Sequence, residues 1–108
     1  MGNFFTSLFS SSKAATPEEE KAKSDQKKFD ILKYDGVRAQ KMGQVAYAIK
    51  CFTEALNLQE DFETMTYLVA AYTVANKAEE ALGVLNRMVE LEPDHINTRL
   101  TRVSVLFM

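Results

Sequence analysis

The chain has 108 residues, of which 46% are hydrophobic and 26% charged, with a formal net charge of −2. That is one small domain of ordinary globular composition, without the positive charge that non-specific nucleic-acid binding needs, so no nucleic-acid partner is expected. A single cysteine, Cys51, excludes an intrachain disulfide, and with the single histidine, His95, it makes no zinc site, so neither a metal nor a cofactor is expected.

Residues 1–15 read as a flexible apolar leader. Phe4, Phe5, Leu8 and Phe9 would share one face of a short helix. Leaving such side chains in water costs about 1.5–3 kcal/mol each, so a partner-docking or membrane-surface role is expected for them. Gly2 followed by Thr6 also fits the spacing of an N-myristoylation signal. No apolar run reaches transmembrane length, and the N-terminus lacks the flank and core of a secretory signal. The expected location is cytoplasmic, with peripheral contact to a membrane through residues 1–9 as the alternative.

Residues 16–28 read as a solvated helical extension. Thr16 is a capping residue, Pro17 suits the first helical position and Glu19 stands three residues after the cap. Glu18, Glu19 and Glu20 sit at the positive end of the helix dipole, and Glu19–Lys23 is a favourable i,i+4 pair. The pattern predicts one helix from Pro17 to about Met42, with Phe29, Leu32, Val37 and Ala39 turned to a core. A second helix is predicted over about 44–58, with Val45, Ala48, Ile49, Phe52, Ala55, Leu56 and Leu58 on one stripe. Asp61 is the expected cap of a third helix, about 62–75, with Met65, Leu68, Val69 and Tyr72 inward. Asn76–Lys77 is a turn before a fourth helix, 78–91, with Ala81, Leu82, Val84, Leu85, Met88 and Val89 inward. Pro93 ends it, and Asp94 is the expected cap of a fifth helix that places Ile96, Leu100, Val103 and Phe107 on one face.

Shifted forward by 33 positions, Ala48 meets Ala81, Ile49 meets Leu82, Phe52 meets Leu85, Leu56 meets Val89 and Leu58 meets Leu91. Each unit is a helix–turn–helix pair too small to bury its own apolar face. With Gly36 in the first helix, Gly43 in the turn and Ala48, Phe52 and Ala55 in the second, the chain resembles the tetratricopeptide repeat family. The second unit departs from the family pattern, with Val69, Leu85 and Met88 at the small, aromatic and small positions, while its Pro93 matches the terminal proline. The fold expected from the resemblance is an all-α superhelical array. It comprises repeat 1 (about 29–62), repeat 2 (about 62–95), an extended N-terminal helix and a C-terminal helix (about 95–107), the whole domain covering 29–108.

The resemblance further implies a concave groove lined by the first helix of each pair, here Asp30, Lys33, Val37, Gln40, Lys41, Glu63, Thr66, Ala70 and Thr73. One subgroup of the family grips a chaperone's C-terminal carboxylate with Lys and Asn one turn apart; Lys33 is followed by Val37, so that clamp is not expected. The implied function is a protein-interaction module or adaptor binding a peptide or helix. The alternatives are a membrane-associated scaffold and a small secretion-type chaperone.

Cys51 is expected as a buried small hydrophobe, His95 as an exposed turn residue, and Tyr34, Tyr47, Tyr67 and Tyr72 as packing residues with wet hydroxyls. Met42, Met65 and Met88 read as gap fillers. The sequence offers no nucleophile–base pair, metal cluster or phosphate-cradling loop, so no enzymatic activity is expected. The apolar tip Leu106–Phe107–Met108 is expected to be covered by a second subunit, giving a homo-oligomer through the C-terminal helix, or by further chain.

Overall fold

A helix begins where a side chain can accept the first free N–H groups, and this chain supplies such a group at Thr16. In the computed structural model, which describes residues 16–108, Thr16 Oγ1 accepts the Glu19 N–H at 3.1 Å. The helix it opens, α1, runs over Pro17–Lys41 with three glutamates in its first turn. Gly2, Phe4, Phe5, Leu8 and Phe9, for which docking or lipidation is expected, lie outside the described residues. Four helices follow: α2 (Val45–Leu58), α3 (Phe62–Val74), α4 (Ala78–Leu91) and α5 (Ile96–Leu106). The described residues are thus all-helical, with no strand among them.

The helices pack in chain order, α1 on α2, α2 on α3, α3 on α4 and α4 on α5. The first fully turned-in residue of α1 is Phe29, so its N-terminal half projects into solvent. The ion pair found there is Lys21–Asp25 at 3.1 Å rather than the expected Glu19–Lys23.

The turns α1–α2 and α3–α4 share one geometry. In the first, the Gln44 N–H reaches the Ala39 carbonyl at 2.8 Å and the Gly43 N–H reaches Gln40 at 3.1 Å. In the second, the Lys77 N–H reaches Tyr72 at 2.8 Å and the Asn76 N–H reaches Thr73 at 3.0 Å. Each is a Schellman ending, and its left-handed residue is Gly43 (φ 78°) or Asn76 (φ 60°). Every member of the second set lies 33 positions after its counterpart.

Gly36 is buried because a neighbouring helix crosses at that point. A Cβ there would lie 2.5 Å from Cε1 of the Phe52 ring. Phe52 is fully buried, and its ring stacks on Tyr67 with centroids 5.7 Å apart. One core cluster gathers Ala39, Ala48, Phe52 and Leu68, and a second gathers Met65, Val69, Ala81, Leu85, Met88 and Val105. Leu56, Tyr72 and Val84 pack against both and join them.

Several expectations need correcting. Leu58, the last residue of α2, is 38% exposed rather than facing the core, and Leu91, the last residue of α4, is exposed to the same degree. Met42, Tyr34 and Tyr47 are exposed, so only Met65 and Met88 of those three methionines fill gaps. The cap of α5 is His95, not Asp94: His95 Nδ1 accepts the Thr98 N–H at 3.2 Å. The imidazole is half-buried and meets Phe62 edge-on, with centroids 5.0 Å apart. Cys51 is buried as expected, and burial pushes its thiol pKa up.

Candidate functional site

The helices α1, α3 and α5 border two clefts. Between α1 and α3 lies a cleft of about 240 Å³ lined by Asp30, Lys33, Tyr34, Val37, Glu63 and Tyr67. Between α3 and α5 lies a larger one of about 460 Å³. Its walls are Thr66, Ala70, Thr73 and Val74 on α3 and Asn97, Thr98 and Thr101 on α5, with His95 at one end. At about 100° per residue, Glu63, Thr66, Tyr67, Ala70, Thr73 and Val74 span one side of α3, so the two clefts adjoin along it.

Seven of the nine groove residues read from the sequence therefore line these clefts: Asp30, Lys33, Val37 and Glu63 the first, Thr66, Ala70 and Thr73 the second. Gln40 and Lys41 line neither. They stand in the last turn of α1, where the Gln40 carbonyl closes the turn with Gly43. Tyr34, Tyr67, Val74, Asn97 and Thr101 were not read from the sequence as groove residues. Thr98, which also lines the second cleft, was not read so either; the signal on α5 was available for Asn97 alone, which an interval of 34 places at the position of Glu63.

The electrostatics of the first cleft centre on Lys33. Its Nζ lies 3.0 Å from Asp61 Oδ2 and 2.8 Å from Glu63 Oε1. Burial pulls the Lys33 pKa down, but the hydrogen bonds to Glu63 and Asp61 outweigh it and hold the ammonium above its ordinary value. Burial likewise pushes the Asp61 carboxyl up. The Thr64 hydroxyl, Lys33 and the Thr64 N–H together hold it below its ordinary value. Asp61 is also the cap of α3, accepting the Thr64 N–H at 3.0 Å. Lys33 is thus committed to two carboxylates within the chain, and Asp30 adds a third beside them. The α1 end of the face carries surplus negative charge, and the α3–α5 end is built from hydroxyl and aliphatic groups.

On the opposite flank, Arg87 of α4 grips Glu60 in the α2–α3 connection through two bonds, Nε–Oε1 at 2.6 Å and Nη2–Oε2 at 3.0 Å. A cleft of about 430 Å³ beside it is lined by Leu56, Met65, Tyr72, Glu80, Gly83, Val84 and Arg87, among them the residues that join the two cores. Among the described residues, no group of three or more His, Cys, Asp or Glu converges as metal ligands would. No helix among them is long and apolar enough to cross a membrane. Comparison with protein-family models, curated proteins and solved structures returned no match.

Proposed function

We propose that this chain is a tetratricopeptide-like interaction module that binds an extended peptide or a helix along the α1–α3–α5 face. The observation that carries this reading is the pair of adjoining clefts on α3, supported by turn geometry that recurs at 33 residues. A face of this kind recognises a ligand by apolar contact with a few placed polar groups. The second cleft takes a small aliphatic side chain between Ala70, Thr73 and Thr101. The first, with Asp30 and Glu63 around an already paired Lys33, takes a basic residue. The preferred ligand is therefore a segment with a Lys or Arg a few residues away from a Val, Leu or Ile.

Selection from a random peptide library on the full chain tests this directly. The expected result is enrichment of peptides of that pattern, with NMR shift changes confined to Thr66, Ala70, Thr73, Asn97 and Thr101 and to the Lys33 cleft. An Ala70→Arg variant fills the second cleft at an exposed position and is expected to lose binding without losing helicity. Peptides that bind Ala70→Arg as well as the parent, or that shift only the α2–α4 flank, would remove this reading.

A further inference from the structure

The side-chain caps of this array are three different chemical groups. Thr16 caps α1, Asp61 caps α3 and His95 caps α5, while α2 and α4 have no side-chain cap. Of hydroxyl, carboxylate and imidazole, only the imidazole ordinarily changes charge near neutral pH. His95 is also the single histidine of the chain.

A backbone N–H can only donate, so the Thr98 N–H at 3.2 Å makes His95 Nδ1 an acceptor. The neutral ring therefore carries its proton on Nε2. The Thr98 hydroxyl lies 2.7 Å from the same Nδ1. Thr98 is only 4% exposed, so water does not freely take the place of the imidazole. The Phe62 ring of α3 meets the imidazole from the other side, with centroids 5.0 Å apart.

We infer that His95 is a proton switch on the second cleft: protonation of the imidazole removes the cap of α5 and loosens the cleft wall that its first turns form. A proton on Nδ1 turns that nitrogen into a donor. It can then serve the Thr98 hydroxyl oxygen, but it meets the Thr98 N–H as donor against donor. The new cation also stands at the positive end of the α5 dipole, on a helix whose charged residues are Arg99 and Arg102. Around the ring, its own turn supplies Glu92 and Asp94, and α3 has Asp61 and Glu63 on either side of Phe62. Asp61 and Glu63 are held by Lys33, and Glu90 near the end of α4 is held by Arg87. None of the ion pairs among the described residues includes His95.

The helix α5 packs on α4, and no helix follows it among the described residues, so its first turn leans on the cap. Asn97, Thr98 and Thr101 form one wall of the cleft of about 460 Å³. Acidification therefore weakens what the cleft holds. That consequence rests on the peptide-binding reading; the loosening of α5 does not.

Hydrogen exchange of the full chain without ligand, followed by NMR, tests the switch. From about pH 7.5 to about pH 5, the protection factor of the Thr98 amide is expected to fall about five- to tenfold, as for loss of a typical cap. The Thr64 amide is capped by Asp61, whose carboxyl is held below its ordinary value, and is expected to keep its protection. His95→Asn supplies a cap that takes no charge and is expected to remove the pH dependence at Thr98. Unchanged protection of Thr98 in the parent, an equal fall at Thr64, or the same fall in His95→Asn would each overturn the switch. The effect on the cleft is read by NMR titration with the blocked peptide acetyl-Ala-Lys-Ala-Ala-Leu-Ala-amide, which has no group that titrates in this range. Its dissociation constant is expected to rise by a similar factor on acidification. A constant value, with Thr98 protection falling, would overturn the control of the cleft. A peptide that binds at neither pH refutes the peptide reading alone, since the exchange measurement needs no ligand.

Discussion

The contact between Gly36 and Phe52 shows how one side chain sets the distance between two helices. Glycine normally weakens a helix interior by about 1 kcal/mol relative to alanine. At position 36 the sign reverses, because an added Cβ would sit 2.5 Å from a fully buried ring. Overpacking of this kind costs about 1–3 kcal/mol, so Gly36→Ala is expected to destabilise by up to roughly 2 kcal/mol net. The second hairpin shows the compensation, since Val69 and Leu85 stand where the first has Gly36 and Phe52. Gly36→Ala combined with Phe52→Leu is therefore expected to cost about 1 kcal/mol less than the sum of the two changes, measured by urea unfolding in a double-mutant cycle.

Asp61 makes a second prediction at this scale, because its carboxyl is held below the ordinary 3.8 once Thr64 and Lys33 outweigh burial. A lowered folded value means that the unfolded chain binds the proton more readily. Its contribution is complete above the ordinary carboxylate range and is lost as pH falls through the folded value. Asp61→Asn keeps a good cap but drops the charge, and is expected to lose about 1 kcal/mol at pH 7. The gap between parent and variant should close as the pH is lowered below about 4. A gap that is constant with pH would mean that the Lys33 pair contributes nothing.

Among the elements, the two Schellman turns set residue type against backbone geometry. Gly43 and Asn76 hold the same left-handed position, and nothing lies within 4 Å of a Cβ built on Gly43. Only the backbone conformation therefore resists substitution there. Gly43→Ala is expected to lower stability by about 1 kcal/mol, and Gly43→Asn by only a few tenths, as followed by thermal melting. Gly83 lies in the middle of α4 with open space around its Cβ position, so Gly83→Ala is expected to raise stability by about 0.5–1 kcal/mol.

The helices were legible in the sequence because caps, breakers and apolar spacing agreed, and the boundaries fell within a residue or two. The cap of α5 was missed although its signal was present. Pro93 occupies the second position of a β-turn closed by the His95 N–H on the Glu92 carbonyl at 3.1 Å. That turn consumes Asp94 and leaves His95 in the extended conformation just before the helix, with φ −77° and ψ 102°. Residue type alone favoured aspartate; the turn decided otherwise. The clefts were legible on α1 and α3 through the repeat spacing. Lys33's pairing was not, because Asp61 and Glu63 reach it from another helix.

At the scale of the whole molecule, stability is shared between neighbours. Each helix packs chiefly on the one before and the one after it, so long-range cooperativity depends on the few residues that touch both cores. Leu56, Tyr72 and Val84 are those residues, half-buried or partly exposed at the edge of each cluster. Truncating one should therefore weaken the coupling between hairpins more than it weakens either hairpin. The chain has no tryptophan, so urea unfolding would be followed by tyrosine fluorescence and by far-ultraviolet circular dichroism. The parent is expected to give one transition that coincides in the two signals. Tyr72→Ala is expected to lose about 2–3 kcal/mol and to lower the apparent m value, with the two signals no longer coincident. A control in one core alone, Leu68→Ala, should cost a similar amount while keeping the signals together, since it damages the first cluster and leaves the bridge in place. If both variants kept a single coincident transition with the parental m value, the two hairpins would be one cooperative block held by more than these three side chains.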